Sequence, residues 1–130
     1  DADLCDISIA DFNEDGTIGT WKKSQFNLFN TDNDELLLSH PQVIAFNDML
    51  YLFGGKANAS AQNITLYSPI TPAGSPGQWF PLSYQLPGGR FGHRLLQYKD
   101  NLYILGGKRN SDIIPKDDSY IMIQSKLKVN

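Results

Sequence analysis

The stretch Asp11-Phe12-Asn13-Glu14-Asp15-Gly16 is the first place where side chains could do chemistry. Oxygen ligands at positions one, three and five, with glycine at six, match the opening of a calcium loop, whose twelfth position supplies a bidentate Glu. Position twelve here is Lys22, a cation where the decisive anion belongs. A calcium site on Asp11, Asn13 and Asp15 is therefore the lesser reading, and a solvated acidic turn the leading one. Cys5 is the one cysteine, which excludes an intrachain disulfide, and beside it only His40 and His93 could serve as further soft ligands, too few for a zinc cluster. His93 has no carboxylate at fixed spacing to orient it and no Ser or Cys nucleophile nearby, so it reads as a hydrogen-bonding residue rather than a base. No catalytic residue and no cofactor is expected. The triplets Asn58-Ala59-Ser60 and Asn63-Ile64-Thr65 are glycosylation sequons, which permit a secreted or cell-envelope location without showing it.

Bulk composition narrows the partners. With 41% hydrophobic and 19% charged residues in 130, the chain is globular rather than disordered. The net charge of -3 is uneven: residues 1–35 carry nine acids and two lysines, net -7, and the remainder is net +4. No dense Lys/Arg stripe is present, so nucleic acid is not an expected partner. The longest apolar run, Met49 to Phe53, has five residues, far short of a membrane-spanning helix, and no transmembrane segment is expected.

The elements that would position these residues come from an internal repeat. Asp48-Met49-Leu50-Tyr51-Leu52-Phe53-Gly54-Gly55 returns 52 residues later as Asp100-Asn101-Leu102-Tyr103-Ile104-Leu105-Gly106-Gly107. Gly16-Thr17-Ile18-Gly19-Thr20-Trp21 returns 58 residues later as Gly74-Ser75-Pro76-Gly77-Gln78-Trp79. The six-residue difference places an insertion in the Asn/Asp-rich stretch from Asn27 to Glu35, where a loop absorbs it at small entropic cost.

Each unit reads as strands. Val43–Phe46 and Met49–Phe53 flank a two-residue turn, and Leu95–Tyr98 and Leu102–Leu105 flank Lys99-Asp100-Asn101; both are hairpins. Third strands are expected at Asp6–Ala10, Ile64–Ser68 and Ser119–Ile123, and fourth strands at Thr20–Lys23 and Gln78–Leu82. Lys126 to Asn130 could start one more. Turn residues recur too often for a helix. Met49–Phe53 is apolar at every position, so both faces of its sheet must be covered. Four-stranded antiparallel sheets packed between copies of themselves, at about 50 residues each, describe a β-propeller of Kelch-like repeat length.

The run ending in Gly54-Gly55, with Tyr67 and then Trp79 at intervals of about a dozen residues, resembles the Kelch repeat signature, and so does Leu86-Pro87-Gly88-Gly89-Arg90-Phe91-Gly92-His93 before the next unit. The likeness is weaker at the start, where Ile9 stands at the Tyr position and no Arg precedes His40. It implies a propeller used most often as a binding platform, and in a few members as the frame of an enzyme such as galactose oxidase or a sialic acid mutarotase. Gly54, Gly55, Gly106, Gly107, Tyr67, Trp21 and Trp79 then have architectural roles, the tryptophans cementing neighbouring blades. The segments are 1–39 (strands three and four of one blade plus a loop), 40–83 (a complete blade) and 84–130 (a partial blade). About two and a half blades cannot close a ring, so the chain reads as a piece of a larger propeller or as a unit that associates with its own copies.

In an up-and-down blade, Arg90, Lys56, Asn58, Lys108, Arg109 and Lys116 fall on one rim. The resemblance makes Arg90 the best ligand contact, with His93 beside it; the alternative is an Arg that caps loop carbonyls. His40, at the start of the matching strand, suggests that the histidines share a repeated structural role. The leading function is a non-catalytic binding or scaffold module whose rim recognises a protein or a glycan. The alternative is part of a carbohydrate-active propeller enzyme whose catalytic residues lie elsewhere.

Overall fold

Alternating and all-apolar runs, punctuated by Gly, Pro, Asn and Asp, produce an architecture of antiparallel strands with no helix among the described residues. The computed structural model describes residues 5–28 and 34–109, and the main chain of 123–126. In chain order the strands are β1 (Ser8–Ile9), β2 (Lys22–Lys23), β3 (Gln42–Phe46), β4 (Met49–Phe53), β5 (Lys56–Ala57), β6 (Ser60–Ala61), β7 (Thr65–Pro69), β8 (Phe80–Pro81), β9 (Arg94–Tyr98), β10 (Asn101–Leu105) and β11 (Ile123–Lys126). They form a β1–β2 pair, a central sheet in the order β3-β4-β7-β8, a small β5–β6 hairpin and a third sheet in the order β9-β10-β11.

The central sheet explains the apolar run in β4. Leu50 and Leu52 point to one face, where they meet Cys5, Ile7, Leu28, Leu36, Leu38, Leu66 and Trp79. Met49, Tyr51 and Phe53 point to the other, against Ile44, Phe46, Leu95, Leu102 and Ile104. Period-two geometry sends alternate residues to opposite faces, so a strand apolar throughout is a strand covered twice. The first strands of the two larger sheets, β3 and β9, lie against each other.

The repeat survives in the main-chain hydrogen bonds. Asn13 N–H donates to Thr17 O, Gly16 N–H to Asn13 O, and Gly19 N–H to Asp11 O; shifted by 58 residues, Thr71 donates to Ser75, Gly74 to Thr71, and Gly77 to Pro69. Ile9 faces Lys22 as Tyr67 faces Phe80. At the other offset, Ser39 pairs with Lys56 as Phe91 pairs with Lys108.

Several sequence expectations change. The turn after β9 has two residues, not three: Asn101 pairs with Tyr98 and opens β10. Lys99 carries the required left-handed conformation at φ 53. β1, β2 and β8 are shorter than Asp6–Ala10, Thr20–Lys23 and Gln78–Leu82, because pairing continues past them as isolated main-chain bonds such as Ser24 N–H to Ile7 O and Leu82 N–H to Thr65 O. The β5–β6 hairpin was not expected; its turn residues Asn58 and Ala59 both have positive φ, and an Ala there gives little sequence warning. Of the third strand expected at Ser119–Ile123, only Ile123 is described, as the first residue of β11; Lys116 and residues 127–130 lie outside the described residues. The tryptophans separate: Trp79 is 7% exposed in the core, and Trp21 is 64% exposed. Trp21 therefore cements nothing among the described residues.

Paired glycines end β4 for a steric reason. Gly54 has φ +64, and a Cβ there would stand 2.5 Å from the Arg90 carbonyl oxygen and 2.8 Å from the His93 ring. Gly54→Ala is expected to cost about 2 kcal/mol from left-handed strain and overpacking together. A urea unfolding midpoint unchanged in this variant would contradict the close approach.

Candidate functional site

The Pro-Gly-Gly-Arg segment before β9 lies across the ends of both sheets, and Arg90 is its stitch. The Arg90 main-chain N–H donates to Gln62 O, its carbonyl accepts from Gly55 N–H, and its Nη1 donates to Gly106 O at 3.0 Å. The residue is 2% exposed. Of the two roles open from sequence, the geometry has Arg90 capping a loop carbonyl, that of Gly106 in the second glycine pair, instead of presenting its guanidinium at the surface.

His93 sits beneath it, fully buried between the two glycine pairs. Neither ring nitrogen has a hydrogen-bond partner among the described residues. Burial first, and then the positive charges of Arg90 and Arg94, push its pKa down to about 4; the Phe53 main chain opposes this weakly, without reaching hydrogen-bond geometry. His93 is thus a neutral core residue at physiological pH, and the hydrogen-bonding role expected from sequence is not made. Nor are the two histidines counterparts. Because Phe91 and Lys108 repeat Ser39 and Lys56, His40 corresponds to Gly92, with φ 54 against 64, and His93 corresponds to Pro41.

Above this buried layer the structure gathers a different set. Lys56 and Lys108 occupy equivalent bridges, to Ser39 and to Phe91. The Lys56 ammonium stands 5.4 Å over the Phe91 ring, and the His40 ring is 6.2 Å from the same ring. Lys108 is exposed, and the Arg109 guanidinium packs on Gly88, 3.0 Å from where a Cβ would be. Of the residues expected from sequence to share a rim, Lys56 and Lys108 are thus tied to Phe91, one by its ammonium and one by its main chain, and Arg109 to Gly88. Phe91 and His40, which lie beside Lys56, were not among the residues expected to contact a ligand. The available clue was the 52-residue offset between Ser39 and Phe91, weak because the residues differ in type.

Asn58 is exposed at the tip of the β5–β6 turn and borders an open cleft of about 330 Å³. The cleft has an aliphatic floor of Leu36, Ile64, Leu66 and Leu82, with Gln62 and Gln85 at its margin. The second sequon asparagine, Asn63, is engaged: its amide donates to Gln85 Oε1 at 3.1 Å.

The acidic turn closes on itself. Thr17 donates both its main-chain N–H and its hydroxyl to Asp15 Oδ1, at 2.9 and 2.6 Å, and Asn13 Nδ2 donates to Thr17 Oγ1. These bonds hold the Asp15 carboxyl below its usual range. The equivalent turn from Pro69 to Gly77 has the same main-chain bonds with no carboxylate, so the fold of this loop requires no cation. Cys5 lies in the core; burial, and next the nearby Glu35 carboxylate, push its thiol pKa up, away from a reactive thiolate.

No protein-family model matches the chain, and none of the curated proteins matches it.

Proposed function

We propose that this chain is part of a Kelch-type β-propeller and serves as a non-catalytic binding module, its rim around Lys56, Phe91 and Lys108 recognising a protein or glycan ligand. The observation that carries this reading is the Lys56 ammonium 5.4 Å over the Phe91 ring, with the exposed Lys108 bridged to Phe91 through the main chain at the equivalent place in the next unit. An aromatic ring with one ammonium over it and a second lysine on the strand bridged to it offers an apolar surface and cationic donors, a combination suited to a ligand bearing carboxylates. The twice-covered central sheet and the approach of β3 to β9 support a radial arrangement of blades. Arg90 contributes by holding the platform in place from below.

Binding to arrays of acidic glycans and acidic peptides tests the reading. Lys56→Glu combined with Lys108→Glu is expected to weaken binding at least tenfold, with a matching loss of salt dependence, while the circular dichroism spectrum stays unchanged. Binding indifferent to both substitutions, or turnover of a sugar by the protein, would overturn it.

A further inference from the structure

Two apolar surfaces are left uncovered by the described residues, and the chain contains the pattern of each one's mate. The face of the central sheet built from Ile44, Phe46, Tyr51 and Phe53 is covered by the face of the third sheet that carries Leu95, Leu102 and Ile104. Shifted by 52 residues, the covered face becomes Leu96, Tyr98, Tyr103 and Leu105. Leu96 is 55% and Tyr98 60% exposed, and the Tyr98 ring has only the Lys99 ammonium over it, at 5.4 Å, among the described residues. Shifted back by the same amount, Leu95 becomes Val43, which is 50% exposed and lies beside the exposed Ala45 on β3. Among the described residues the chain therefore presents both unmatched halves of a contact that it already makes internally.

The β1–β2 pair shows where those halves meet. Its register equals that of β7–β8, yet β7 has β4 on its inner side, and β1 has only β2 as a strand partner among the described residues. Because β3 lies against β9, the repeat sets the missing first strand of that layer against β3, which carries Val43 and Ala45.

We infer that a second copy of this chain docks head to tail, with its β9–β10 pair taking the two inner positions beside β1–β2 and laying Leu96, Tyr98, Tyr103 and Leu105 on Val43 and Ala45. β11 holds the β10 edge in the single chain, and β1 of the neighbouring copy takes that place, exchanging one antiparallel partner for another. The contact is heterologous, so repeated docking closes a ring if the rotation per copy permits it and otherwise grows a filament. The inference rests on the propeller reading proposed above and is independent of the ligand-binding rim.

The register fixes the test. Tyr51 directly faces Tyr67 in the central sheet, so Tyr103 of one copy should face Ile9 of the next. Light scattering across a concentration series is expected to give a mass above that of one chain, rising with concentration. Leu96→Glu, at an exposed position, should return it to a single chain with an unchanged circular dichroism spectrum. In a Cys5→Ala background, mixing an Ile9→Cys chain with a Tyr103→Cys chain should give a disulfide-linked pair that neither chain gives alone. A single-chain mass at every concentration would overturn the inference, as would association that persists in Leu96→Glu. So would Tyr103→Cys chains linking to each other, because that outcome means an isologous face-to-face dimer.

Discussion

Trp79→Ala lowers the stability of the fold by about 3–5 kcal/mol, and the same substitution at Trp21 costs less than about 1 kcal/mol. The two residues occupy the same place in the repeat, so the contrast isolates burial. Trp79 packs among Leu28, Leu38, Leu52 and Leu66, and its removal leaves a cavity against side chains that the sheet holds in place. Trp21 projects into solvent. The Trp79 indole N–H is buried without a partner among the described residues, so Trp79→Phe, which removes that group and keeps most of the apolar area, should cost clearly less than the alanine variant. Chemical denaturation of the three variants at a fixed low protein concentration measures all of these; equal losses at Trp21 and Trp79 would contradict the separation of roles.

The second large effect is a pH dependence. The His93 pKa is near 4 in the folded chain, against an ordinary value of 6.5 when unfolded. Above pH 6.5 both states are neutral and the stability is fully present. As pH falls from 6.5 towards 4, the unfolded state takes up a proton that the folded state refuses, and about 3 kcal/mol is lost across that window. Below pH 4 this contribution levels off. His93→Gln should flatten the stability profile between pH 4 and 6.5 whatever it does to the absolute value. A wild-type profile already flat there would show that the imidazole charges freely in the folded state. Arg90 and Arg94 make the cation worse, so Arg94→Ala, at an exposed position, should move the midpoint of the loss slightly upward.

Much of the strand arrangement was legible because period-two patterning and turn chemistry are local. Val43–Phe46, Asn47-Asp48 and Met49–Phe53 specify a hairpin by themselves: both turn residues take positive φ, at 49 and 57. The covering of β4 on both faces followed from its unbroken apolar run. The site was less legible, because exposure is a tertiary property. Arg90 reads from sequence as a cation available to a ligand, and what removes it from the surface is the Gly106 carbonyl, sixteen residues away. His93 and His40 look alike as letters, but strand register pairs one with a proline position and the other with a glycine position. Trp21 and Trp79 share a motif and differ only in what packs on them, which the motif does not encode.

The loops from Asp11 to Gly19 and from Pro69 to Gly77 have the same main-chain bonds, although their side chains have almost nothing in common beyond the two glycines. Such a loop is a socket: its two rims are fixed by strand pairing, and its contents are exchangeable. Foreign residues placed between Asn13 and Gly16 would be displayed at a fixed angle from the sheet without disturbing either apolar cluster. That makes this turn a natural site for grafting a reporter peptide or a recognition sequence onto the molecule.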